Sequence, residues 1–176
     1  MAVSRQDMEL YRLWQVDDGI SAATSLDWEH RLIHEGRMYR YHTYFTLALT
    51  GDVKRFLMVA NAGWDSHFRV EFSSDQRIDL SLYHSPTLTS NGTDVTSGVF
   101  NRKLGTTMTV HSAIYEDPVP TANGTMIDGY ISDKGLLTAT QAEFELEPGN
   151  VLMAVFTAQK DAQIVHASID FYEEPE

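Results

Sequence analysis

Residues 82–93 read Leu-Tyr-His-Ser-Pro-Thr-Leu-Thr-Ser-Asn-Gly-Thr, and residues 114–125 read Ile-Tyr-Glu-Asp-Pro-Val-Pro-Thr-Ala-Asn-Gly-Thr. Superposed so that Tyr83 meets Tyr115, the two stretches also match at Pro86 and Pro118, at Thr89 and Thr121, and at Asn91-Gly92-Thr93 and Asn123-Gly124-Thr125. Each follows an alternating apolar run, Ile78 to Tyr83 in the first copy and Met108 to Tyr115 in the second, so each reads as the end of a half-buried strand. Pro86 and Pro118 lack the amide hydrogen that a strand ladder needs, and Asn-Gly then supplies residues that tolerate positive φ. One Asn-Gly turn is ordinary in an antiparallel protein. Two copies agreeing in Tyr, Pro and Thr read as a paired structural device.

The chain outside these copies continues in strands. Met38 to Leu49 alternates with Tyr39, Tyr41, Thr43, Phe45 and Leu47 on one face and Met38, Arg40, His42, Tyr44, Thr46 and Ala48 on the other. Arg55 to Asn61, His67 to Phe72, Glu143 to Leu146, Asn150 to Thr157 and Gln163 to Tyr172 complete the set, separated by Gly-, Pro- and Asn-bearing turns such as Glu147-Pro148-Gly149. The polar, glycine-bearing stretch Met126 to Gln141 reads as an exposed loop with at most a short strand. Ser4 to Val16, stopped by Asp17-Asp18-Gly19, reads as a short helix or an arm. The expected fold is therefore all-β: an antiparallel β-sandwich of jelly-roll type with about eight strands, residues 25–176, preceded by an N-terminal arm, residues 1–24.

Composition narrows the functional class. The 176 residues suffice for one domain that buries roughly 70% of its unfolded surface. Cysteine is absent, which excludes disulfides, thiolate metal sites and a cysteine nucleophile, and suits assembly in a reducing cytoplasm. The formal net charge of −12, from 25 acidic and 13 basic residues, opposes nucleic acid and anionic membranes by repulsion. No stretch approaches the ~20 apolar residues of a membrane span, and Met1 to Gln15 has no signal-peptide core. The expected partners include neither nucleic acid nor membrane.

Residue types and spacings bear on catalytic and metal chemistry as well. There is no Gly-x-Ser-x-Gly elbow, phosphate loop, dinucleotide fingerprint or EF-hand loop. His30 and His34 have the i, i+4 spacing of helical zinc ligands, but position 31 is Arg where a peptidase motif requires Glu, and no third ligand is indicated. The seven histidines, at 30, 34, 42, 67, 84, 111 and 166, are scattered singly among strands rather than grouped as in a cupin. The reading is a non-enzymatic protein without cofactor or metal, its paired acids Glu116-Asp117 and Glu173-Glu174 serving as solvated strand ends.

The order of motifs resembles the small β-sandwich head decoration, or cement, proteins of tailed bacteriophages. The matching elements are His30-Arg31-Leu32-Ile33-His34-Glu35-Gly36, Tyr83 to Thr93, Asn101-Arg102, Tyr115 to Thr125, Leu146 to Asn150 and Phe171-Tyr172-Glu173. The resemblance covers residues 24 to 174 and departs from the family pattern at Met126 to Gln141. It implies a jelly-roll virion protein without enzymatic activity. Such a protein is made in the host cytoplasm, forms a homotrimer, and binds the major capsid protein on the outer capsid surface, stabilising the junctions between capsomers.

An interface role falls on apolar and aromatic residues beyond the needs of one core face: Leu10, Leu13, Trp14, Trp28, Tyr39, Tyr41, Tyr83 and Tyr115. The competing function is a carbohydrate- or receptor-binding module of a virion tail or fibre, with Trp64 and Tyr130 as a stacking platform.

Overall fold

The computed structural model describes residues 28–105, 109–132, 137–138 and 143–175. The described residues begin with an eight-residue helix, α1 (Trp28–Glu35). Strand alternation then takes over. β3 (Trp64–Ser74) buries Ser66, Phe68, Val70, Phe72 and Ser74 and leaves the residues between them half-exposed, the period-2 signature of a sheet with one wet face.

Around it run β1 (Met38–Leu47), β2 (Val53–Val59), β4 (Ile78–His84), β5 (Thr87–Ser90), β6 (Thr93–Asp94) and, after a 3-10 turn at Thr96–Gly98, β7 (Phe100–Asn101). The remainder are β8 (Ala113–Glu116), β9 (Val119–Ala122), β10 (Thr125–Ser132), β11 (Leu137–Thr138), β12 (Glu143–Leu146), β13 (Val151–Ala158) and β14 (Gln163–Pro175).

Eight of these strands form the sandwich. The first sheet has the order β12-β3-β14-β1 and the second β10-β4-β13-β2, every pair antiparallel. Successive members of the eight change sheets each time, except that β4 and β10 are neighbours in one sheet. This is the strand order of a jelly roll. The shorter strands extend the rims: β7 beside β1, β11 beside β3, and β8 with β6 beside β2, while β5 and β9 pair only with each other.

The core lies between the sheets. Phe45 of β1 and Phe72 of β3 meet Phe56 of β2 and Phe156 of β13, with ring centroids 5.5 to 5.9 Å apart. Burying each such ring contributes roughly 2–3 kcal/mol. Tyr39 and Tyr41 belong to this core, 2% and 8% exposed. Their assignment to an intermolecular interface is corrected on that ground, because both rings are already enclosed by their own sandwich. Gln163 is also fully buried, and its amide donates to Ser74 Oγ, Gln76 O and Arg77 O, which removes the penalty for a polar group inside.

Two expectations about elements change. Thr125–Ser132 is a full strand of the sandwich where an exposed loop was expected; it is a rim strand with only Ser132 buried, so its sequence carries no inward alternation. The strand expected over Met108 to Tyr115 is confined to Ala113–Glu116 and belongs to the rim, with residues 106–108 outside the described set. Leu10, Leu13, Trp14 and the arm, residues 1–24, also lie outside the described residues. Trp28 opens α1.

Candidate docking surface

The two repeated stretches pair with each other. β4 ends at His84, Ser85 turns the chain at φ 53°, and β5 leaves the sheet; in the second copy β8 ends at Glu116, Asp117 turns at φ 54°, and β9 leaves. β5 and β9 then form a two-stranded ribbon. The hydrogen bonds are reciprocal: Thr89 Oγ1 donates to Val119 O at 3.1 Å, and Thr121 Oγ1 donates to Thr87 O at 3.2 Å. After the turns at Gly92 (φ 90°) and Gly124 (φ 88°), each copy returns to the other copy's strand, β6 against β8 and β10 against β4. The repeat is thus a local pseudo-twofold whose halves hold one another.

Beneath the ribbon the outward face of the second sheet carries a small apolar cluster. Leu57 and Met153 are fully buried there and Val155 nearly so, with Tyr83, Tyr115, Leu88, Val59 and Val151 packed against them. Tyr83, Met153, Leu57 and Tyr115 occupy successive strands in one register row. The matched tyrosines therefore flank the row symmetrically and are half-buried. They brace the ribbon.

The copies differ where charge enters. Glu116 accepts from Tyr41 Oη at 2.6 Å and from Lys54 Nζ at 2.7 Å, and Lys54 also reaches Asp117 at 2.8 Å. Burial, together with the Glu116 carboxylate, pushes the Tyr41 hydroxyl up to about 12. The matching positions of the first copy, His84 and Ser85, bond to each other at 3.0 Å.

Large apolar residues are exposed on both elements: Val119 on β9, and Met126, Ile127 and Ile131 on the edge strand β10, each 42% to 57% exposed. The first sheet exposes a different surface. Tyr44 stacks on His166 at 4.5 Å, His166 meets His42 edge-on at 6.3 Å, and His42 meets Phe100 at 5.8 Å. Partial burial, then the neighbouring His42 and Arg40, lower the His166 pKa. One row further along, the fully buried Asp170 binds Arg40 at 2.5 Å and Arg69 at 3.0 Å.

A cleft of about 310 Å³ lies at the end of this sheet, bounded by Arg37, Trp64, His111 and Glu173. Trp64 covers the His111 ring face to face at 3.9 Å. The Glu173 carboxylate accepts from the backbone amides of His111 and Ser112, so it fastens a loop to β14.

Among the described residues no three or more His, Asp or Glu converge as a metal-binding group. The sequence signals for histidine separate accordingly: His67 stacks on Tyr172, His111 on Trp64, His166 on Tyr44, and only His30 and His34 meet as a pair of imidazole nitrogens. Trp64 and Tyr130 do not form one platform, because they stand on different sheets and Tyr130 leans on the core. No protein-family model matches this chain, and no curated protein compared with it does.

The exposed rim of β9 and β10 carried no clear mark in the sequence. The one available sign was the apolar pair Met126-Ile127 directly after Asn-Gly-Thr, in a stretch whose glycines read as loop.

Proposed function

We propose that this chain is a non-enzymatic virion structural protein that binds the major capsid protein on the outer surface of a tailed-phage capsid and reinforces contacts between capsomers. The observation that carries this reading is the edge strand β10, whose Met126, Ile127 and Ile131 are exposed rather than sunk in a cleft, with Val119 exposed on the ribbon as well. Apolar area of this kind on a rigid support suits association with a protein surface.

Two of the motifs that carry the family resemblance meet in the fold, which supports reading them together. The Asn101 side chain donates to Gly36 O at 2.5 Å, and Arg102 N donates to Met38 O at 2.8 Å, so the Asn-Arg element fastens the turn after α1. Gly149 N of the Leu-x-Pro-Gly-Asn turn donates to Ala60 O at 3.0 Å. A homotrimer would let modest contacts from three copies act together through effective concentration.

The test is retention on particles. Protein mixed with capsids lacking it should sediment with them and raise their resistance to heat, whereas folded protein that stays in the supernatant refutes the assignment. Specific binding in a glycan screen, with no capsid retention, would favour the carbohydrate-binding alternative.

A further inference from the structure

We propose that His30 and His34 form a chelating site for one borderline divalent transition-metal cation, best matched by Cu(II). The two residues lie one turn apart on α1, both exposed, with their Nε2 atoms 2.8 Å apart and ring centroids separated by 4.5 Å. Each ring therefore aims its Nε2 at the same small volume.

Ligand type and affinity order select the ion. Imidazole nitrogens sit about 2.0–2.1 Å from such cations. Two nitrogens at right angles about a tetragonal centre are then about 2.8–3.0 Å apart, and at a tetrahedral centre about 3.3 Å. The rings are thus already within the span of either geometry, and among first-row divalent cations an imidazole site binds Cu(II) most tightly, whose tetragonal preference accepts two neighbouring imidazoles with water in the other positions.

The backbone that carries the two rings is fixed before any ion arrives. Leu32, 1% exposed, anchors α1 to the sandwich. Its last turn is closed by Gly36 N to Ile33 O at 3.0 Å and Arg37 N to Leu32 O at 2.9 Å, and Lys103 Nζ donates to His34 O at 2.8 Å. An ion pair between Arg31 and Glu35 spans the same turn.

Without metal, one Nε2–H donates to the other Nε2. On binding, the donor ring passes to its Nδ1–H tautomer, both Nε2 lone pairs bind the cation, and no proton is lost overall. Water fills the remaining coordination positions. A catalytic zinc centre needs a third protein ligand and a general base; an open two-imidazole chelate needs neither.

The experiment is a calorimetric titration of the full chain with CuCl2, with electron paramagnetic resonance on the complex. We expect one saturable equivalent, a spectrum with two equatorial nitrogens, and affinity about tenfold or more weaker in His30→Gln and in His34→Gln, since each leaves a single imidazole. His84→Gln should bind as the parent does. Unchanged affinity in either helix variant, or no saturable equivalent in the parent, overturns the proposal. Unaltered thermal melting of the variants, expected because both side chains are exposed, confirms that they are folded.

Discussion

Gly92 lies so close to the backbone of Glu116 that a Cβ at position 92 would stand 2.1 Å from the Glu116 carbonyl oxygen. The second copy repeats the contact, with a Cβ on Gly124 falling 2.3 Å from His84 O. Each glycine is thus fixed twice, by its left-handed φ and by the other copy's strand end. Replacing Gly92 or Gly124 with Val should lower stability by about 3 kcal/mol or more, from backbone strain plus displacement of a paired strand. Gly51→Ala is the comparison: φ there is 89° but nothing lies within 4 Å, so the loss should be about 1 kcal/mol. Urea denaturation of the three variants measures the difference, and equal losses would mean that the reciprocal contact contributes nothing.

Asp170→Asn should destabilise the fold by about 2–4 kcal/mol. The amide keeps the shape of a fully buried carboxylate but removes the negative charge that Arg40 and Arg69 share, leaving the two guanidinium groups facing each other beside Glu71. Thermal denaturation at neutral pH reads the effect.

Tyr41 makes stability pH-dependent on the alkaline side. Its folded pKa, about 12, exceeds the ordinary value of 10.0, so the folded state keeps a proton that the unfolded chain releases first. The contribution is fully present below pH 10 and is lost as pH rises toward 12. Tyr41→Phe should abolish that part of the slope and, at neutral pH, cost about 1–2 kcal/mol for the missing bond to Glu116. In a tyrosine absorbance titration, Tyr41 and Tyr130 should both ionise near 12.

His166 acts in the opposite range. Its folded pKa is lowered from 6.5, so below that value the unfolded chain binds the proton more readily than the folded one. Stability should therefore fall as pH drops through 6.5 and level off below the folded pKa. His166→Gln should flatten this segment of a stability-versus-pH curve; an unchanged curve would show that partial burial, His42 and Arg40 do not disfavour the imidazolium.

Deleting residues 1–24 should leave the melting of the sandwich unchanged and weaken retention on capsids, if the arm with Leu10, Leu13 and Trp14 supplies one of several linked contacts. Sedimentation of decorated particles tests this directly. Undiminished retention would assign attachment wholly to the sandwich.

The sequence by itself determined the layered antiparallel architecture, because alternation in strands such as Met38–Leu47 and Gln163–Pro175 leaves one face to be buried, and it marked the twin loops through Pro86, Pro118, Gly92 and Gly124. It did not reveal β10, since a rim strand with Thr125, Met126, Ile127 and Ile131 facing solvent has no inward pattern to display. Alternation put Tyr41 and Tyr44 on opposite faces of one strand but could not say which face the other sheet covers; the first is 8% and the second 71% exposed. That division and the pairing of the two copies were decided by tertiary structure, whereas the meeting of His30 and His34 follows from their i, i+4 spacing once α1 forms. Strand register and the opposing sheet select which neighbours each side chain meets, and those neighbours lie far away in the chain.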